Sequence, residues 1–135
     1  MTKQNVIDLV KDAGYGFLAT DEGNQPRVRP VGPYLSEDGE LLIAILSHSR
    51  SIQQIQKNPM VELCFVDRKM AFCRITGQAK ISQDAGKRET VWNHVPQLKQ
   101  YASGPQDKIF TLVEVNISAA ESMSPSDKTP QKVEF

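Results

Sequence analysis

Two arginines on one strand face, and a helix that opens on Ser49-Arg50-Ser51, are the residues of this chain best suited to hold a ligand. In the stretch Arg27-Val28-Arg29-Pro30-Val31 a strand would turn Arg27, Arg29 and Val31 to one side and Val28 to the other. The first turn of a helix carries backbone N–H groups without intrahelical partners, and the helix dipole adds positive potential there. A guanidinium brought beside that end can grip a phosphate through two parallel N–H···O bonds, which the point charge of lysine cannot match. The chemistry favoured is therefore the binding of a small phosphate-bearing molecule. The plain alternative is a capped helix next to two solvated arginines.

Other chemistry is poorly supplied. The chain has no G-x-S-x-G, H-E-x-x-H, P-loop or G-x-G-x-x-G pattern. Ser47, His48 and Ser49 sit at a strand-to-helix junction and read as caps, not as a nucleophile with its base. Neither His48 nor His94 has cysteines or carboxylates at metal-ligand spacing. Cys64 and Cys73 lack the C-x-x-C spacing of a redox or metal pair and read as free thiols of a reducing compartment, so the expected location is cytoplasmic. Sixteen basic and sixteen acidic residues cancel, so no net field draws nucleic acid or an anionic membrane. The longest apolar run, Leu41 to Leu46, is too short to span a bilayer, and the N-terminal MTKQNVIDLVKDAG lacks the apolar block of a signal peptide.

The elements that must position these residues follow from periodicity. A length of 135 residues is that of one domain. Val6, Leu9, Val10 and Ala13 make one helical stripe over Lys3 to Ala13, with Thr2 or Asn5 as cap and Gly14 as stop. Strands are expected at Tyr15 to Thr20, Arg27 to Val31, Glu40 to Leu46, Met60 to Val66, Lys69 to Ser82 and Ile109 to Ile117, with turns at Asp21 to Asn24 and Ser36 to Gly39. Pro30 and Pro33 cannot donate to a ladder and imply an edge or an interruption in pairing. Glu40 to Leu46 is apolar on both faces, as a strand buried on both sides should be. Ser51 with Gln54 forms an S-x-x-Q capping box, and Asn58-Pro59 ends that helix. A further helix is expected over Lys87 to Val95. Hairpin-length connections between strands favour a mostly β fold, a closed barrel with peripheral helices. The polar composition after Ser118 divides the chain into a barrel domain, 1–118, and a tail, 119–135, either disordered or laid across a neighbour, with Val133 and Phe135 as anchors.

Taken in order, GFLATDEGNQPRVRPV, EDGELLIAI, SHSRSIQQIQKNPMVEL and CRITGQAKI resemble the pyridoxamine 5′-phosphate oxidase-like family of FMN-binding split barrels, in its short bacterial members. The likeness runs from Ala13 to about Ile81 and implies an antiparallel, Greek-key type split barrel. It further implies FMN as cofactor, oxidoreductase chemistry and a homodimer with the cofactor cleft between subunits. Matched by position, Arg29 corresponds to the arginine that grips the flavin phosphate. Pro30 and Val31 correspond to the backbone along the flavin ring, and Ser49 and Arg50 to the start of the phosphate-binding turn. Arg27 is placed to add a second guanidinium, and Phe72 is the residue expected to come from the partner subunit. Two positions depart from the family pattern: Ser51 stands where a lysine is usual and Ile45 where a threonine is usual. The substrate arginines and histidine that mark the true oxidase near its C-terminus have no counterpart in SPSDKTPQKVEF, so vitamin-B6 oxidation is not expected. The departures keep open a flavin-free split barrel acting in binding or stress response, and a deazaflavin or haem in the same cleft.

Overall fold

The first helix forms where its apolar stripe predicts. In the computed structural model, which describes residues Met1–Phe135, α1 spans Lys3–Ala13. Thr2 caps it: the Thr2 hydroxyl accepts from the Asn5 N–H, and the Asn5 side chain accepts from the Thr2 N–H. Gly14 ends it at φ 77°, a left-handed conformation that glycine reaches without a Cβ clash. Val6, Ile7, Leu9 and Val10 are buried in the main core, so α1 seals the barrel with the face its sequence made apolar.

Six strands close that barrel. They are β1 (Gly16–Glu22), β2 (Gln25–Leu35), β3 (Leu41–Leu46), β4 (Met60–Val66), β5 (Phe72–Ser82) and β6 (Phe110–Met123). All pairs are antiparallel, in the order β3-β2-β1-β4-β5-β6, and β3 pairs with β6 to complete the ring. A two-residue β7 (Gln131–Lys132) adds to β6. Helix α2 (Arg50–Lys57) joins β3 to β4; α3 (Ala85–His94) and a 3₁₀ turn (Pro96–Gln100) lie between β5 and β6.

Strand β2 changes partner midway. Gln25–Val31 pairs with β1, whereas Gly32–Leu35 pairs with β3. Pro30 therefore sits where β2 has a neighbour on one side only, which answers the interruption its missing N–H implied. Beyond Ala44 strand β3 parts from β2, and the gap between them is the entrance to the site.

Strand β3 is apolar on both faces because each face has a core to join. Leu41, Ile43 and Ile45 belong to the barrel interior with Leu18, Leu63, Phe65 and Ile75. Leu42 and Ala44 belong to a second cluster outside the barrel, where Val91, Val95 and Leu98 of α3 and the 3₁₀ turn cover Phe110 and Leu112.

Several boundaries differ from the sequence expectation. Strand β1 runs through Asp21 and Glu22, and only Gly23 and Asn24 form the turn, because the pair Glu22–Gln25 still closes the ladder. Strand β5 starts at Phe72, since Asp67 folds the preceding residues into a turn through its contacts with the N–H groups of Lys69 and Ala71. Helix α3 begins and ends earlier than expected, over Ala85–His94, with Asp84 as its cap. Strand β6 continues past Ile117 to Met123, paired with β5 except at Ser118, where the register shifts in a bulge. Its inward residues there are Ala120 and Ser122, too small or too polar to announce a strand. The segment after it folds back on the same chain: Val133 is buried, its N–H donating to the Ala120 carbonyl, and Phe135 lies by Gly39 and Lys3.

Candidate functional site

The parting of β2 and β3 leaves a cleft of about 330 Å³ lined by Arg29, Pro30, Val31 and Gly32 of β2 and by Ala44, Ile45 and Leu46 of β3. Ser49, Tyr15, Gln97 and Tyr101 complete it. Its walls are mainly apolar, with one guanidinium at one end. A Cβ added at Gly32 would come within 2.7 Å of Val95, so only glycine lets the 3₁₀ segment approach β2 closely enough to form the back wall. A larger depression, about 680 Å³, lies elsewhere between Asp38–Leu41, Gln78–Lys80 and Glu114–Asn116. Asp38, Glu40, Lys80 and Glu114 make its lining mostly acidic, and none of the candidate ligand residues reaches it.

Arg29 is held by four contacts. Nη1 donates to the Leu18 carbonyl at 3.1 Å, to Thr20 Oγ1 at 2.7 Å and more weakly to the Arg27 carbonyl at 3.4 Å, while Nη2 donates to Gln54 Oε1 at 2.7 Å. Thr20 passes the chain on by donating to Gln54 Oε1. Gln54 Nε2 then donates to Glu22 at 2.9 Å, and Glu22 also accepts from Arg27 Nε at 2.9 Å. Arg50 Nη1 stands 3.8 Å from the same carboxylate. Burial, followed by the charge of Arg50, pulls the Arg29 guanidinium below its ordinary pKa, though a guanidinium keeps its charge at any ordinary pH. Hydrogen bonds from Gln54 and then Arg27 lower that of the Glu22 carboxylate. Three guanidiniums against one carboxylate leave two positive charges in a chain whose total is zero.

The helix start differs from the expected capping box. Ser49 is the N-cap, and its hydroxyl accepts from the Ser51 N–H at 3.1 Å. Ser51 is not a cap; its side chain is buried and accepts from the Ser49 hydroxyl at 2.9 Å. Gln54 cannot close the S-x-x-Q box because its amide faces the barrel wall, between Arg29 and Glu22.

Of the residues singled out from sequence, Arg29, Pro30, Val31, Ile45 and Ser49 meet in the cleft. Arg27 and Arg50 lie beside it and turn to Glu22, Arg50 with 71% of its side chain exposed. Phe72 is at the other end of the sheet, on the outer side of β5 between Val66 and Met123, with the Arg74 guanidinium 5.5 Å from its ring centre. Thr20, Glu22 and Gln54 are site neighbours that sequence reasoning missed. The alternation Leu18-Thr20-Glu22 on the inner side of β1 was the available signal. Cys73 is a buried free thiol whose burial raises its pKa to about 12; Cys64 is half-buried and also free. No group of three or more His, Cys, Asp or Glu side chains is placed to hold a metal.

The chain and its fold have counterparts among known proteins. The family model described as pyridoxamine 5′-phosphate oxidase like matches residues 1–132. The chain belongs to that family. A NimC/NimA family protein from Clostridium acetobutylicum is 28% identical, with TM-score 0.81, over 96% of this chain and 89% of the other. The general stress protein 26 of Bacillus anthracis shares the fold at 22% identity and TM-score 0.81, over 98% of each chain. A heme binding protein from Mycobacterium smegmatis shares it at 14% identity and TM-score 0.75, over 92% of this chain and 55% of that one. A comparison with curated proteins found no match. As a family member the chain is a mostly β split barrel, closed by six antiparallel strands, and no helix is long and apolar enough to cross a membrane.

Proposed function

We propose that this split barrel binds FMN and serves as a flavoprotein oxidoreductase. The carrying observation is the Arg29 guanidinium at the end of an apolar cleft, next to the Ser49 helix start and within a cluster of net charge +2. A phosphate monoester carries about −1.5 to −2 at pH 7, so the cluster and the ligand are opposite in charge. The residues fit the flavin in kind as well: Val31, Gly32, Ala44 and Ile45 contribute to a mainly apolar lining, and Tyr15 and Tyr101 complete it. In this reading Arg29 and Ser49 hold the phosphate and the β2 backbone from Pro30 to Gly32 supports the ring. The flavin, when bound, supplies the electron transfer. Ser51, buried and hydroxyl-bearing, gives no positive charge, and Arg27 and Arg50 provide it in place of the usual lysine.

The same reading makes the protein a homodimer. Two rows on the outer side of the sheet, Pro30-Phe17-Cys64-Arg74 and Val28-Ala19-Glu62-Thr76, lie across β2, β1, β4 and β5 without cover from their own chain. Val28 is 65% exposed and Phe17 40%, a contiguous apolar area of the kind that marks an interaction surface. Arg74 and Glu62 give that face both signs of charge, as self-association about a two-fold requires. Pro30 borders both the face and the cleft, so a second copy seated there closes the cleft's open side and brings Phe72 toward it.

The visible spectrum of the freshly purified protein tests the proposal, together with melting temperature against added FMN. A flavin spectrum, or a melting temperature that climbs with FMN concentration, is expected. A colourless protein whose melting point ignores FMN defeats it. A Soret band would favour haem in the cleft. A flavin-free binding module is the second reading, favoured by the fact that Arg29 already has its donors paired with Leu18, Thr20 and Gln54.

A further inference from the structure

The Glu22 carboxylate stands among the very cations a ligand phosphate would use. It is bonded to Arg27 directly and to Arg29 through the Gln54 amide, and it is the nearest anion to Arg50. The other acidic residue of this strand end, Asp21, points away and receives only a 3.4 Å contact from Asn58. Glu22 has no capping or core role that explains this placement. It is the last residue of β1, beside the tight turn at Gly23 and Asn24, with about a third of its side chain open to solvent (35%). Its side chain can therefore rotate outward without backbone movement.

We propose that Glu22 is a built-in counter-ion of the phosphate site, occupying the anion position when no ligand is present and exchanging for the ligand's phosphate on binding. This rests on the phosphate-ligand reading above and goes beyond it by assigning a residue that sets how strongly the charged end is held. The exchange is anion for anion: Arg27 and Arg50 keep a negative partner before and after, so neither guanidinium is left unpaired in the empty site. The low carboxylate pKa, caused by Gln54 and Arg27, keeps Glu22 ionised at neutral pH and ready to compete. Affinity for a phosphorylated ligand is then reduced by the cost of displacing Glu22. A ligand with the same ring and no phosphate does not meet that cost.

The experiment is calorimetric titration of the full chain and its Glu22→Gln variant with FMN, riboflavin and inorganic pyrophosphate at low salt. Removing the competing charge is expected to tighten FMN about tenfold and to leave riboflavin within about twofold. Pyrophosphate should tighten in parallel with FMN, and the gain should shrink at high salt. FMN binding unchanged or weakened in the variant overturns the proposal, because Glu22 then positions the arginines and does not compete for them. Glu22→Ala carries the same expectation if the glutamine variant melts too early to titrate. Should neither flavin bind either protein, the flavin reading fails. The pyrophosphate arm still decides: tighter binding to the variant keeps the counter-ion role, equal binding ends it.

Discussion

The barrel has two outer faces that carry apolar residues, and only one is covered by helix. Over β3 and β6 the residues Leu42, Ala44, Phe110 and Leu112 are sealed by α3 and the 3₁₀ turn. Over β2, β1, β4 and β5 the residues Val28, Phe17 and Val66 face outward and stay exposed. The second face mixes these apolar residues with Glu62, Thr76 and Arg74, and the chain lays its one large connection, between β5 and β6, over the first. Apolar area left bare at this scale is stabilised when it meets a partner, and the cleft lies along the rim between the two faces. The covered face thus fixes the cleft's back wall through Val95 and Gln97.

Substitutions can break this contrast. Leu42→Ala removes a fully buried side chain from beneath α3 and is expected to cost about 2–5 kcal/mol in urea unfolding. A loss under about 0.5 kcal/mol, the range of ordinary surface changes, would mean that the cover is loose. Phe17→Asp should leave the fold intact by circular dichroism while converting a dimer to a monomer in light scattering. An unaltered mass would count against the dimer proposed for this face. In that monomeric background Val28→Ala should change stability by less than about 0.5 kcal/mol, the counterpart of Leu42 on the open side.

The smallest effect concerns what pins the covering segment. Asp107 accepts from the Ser103 and Ile109 N–H groups and the Ser103 hydroxyl, and these hydrogen bonds hold its carboxyl below the usual carboxylate range. A depressed pKa means that its stabilisation is present above the unfolded-state value of about 3.9 and fades as pH falls through the lower folded value. Asp107→Asn should therefore melt earlier than wild type at neutral pH, with the two curves converging as the medium is acidified below about pH 4. Parallel curves across that window would show that Asp107 does not anchor the segment.

Much of this arrangement is legible in the sequence because it is local. The α1 cap at Thr2, the shared face of Arg27, Arg29 and Val31, and the doubly apolar β3 all follow from spacing of three, two and one residues. Gln54 was misread for the same reason: Ser51 three residues before it offered a local partner, while its true partners lie on β1 and β2, remote in sequence. Glu22 looked like turn material beside Gly23 and Asn24, and only the ladder to Gln25 shows it to be strand. The far end of β6 gave no apolar signal, since Ala119, Ala120 and Ser122 become strand by pairing with β5 and not by any preference of their own. Arg50 lies where the helix start was expected, but its largely exposed side chain turns to Glu22 and not into the cleft, and nothing in the spacing predicts which way a first-turn side chain turns.

The pairing of β3 with β6 has a consequence in time. Ile45 stands opposite Thr111, and Leu41 opposite Val115, so the ring closes through residues brought together from distant parts of the chain. Non-local closure of this kind is slow, because loop entropy is lost before the contacts form. Ile45 and Leu46 take up their places opposite Arg29 only once that closure is made, so the cleft exists only in fully closed molecules. Ligand binding during refolding should therefore lag the appearance of strand signal and report the final step of barrel assembly.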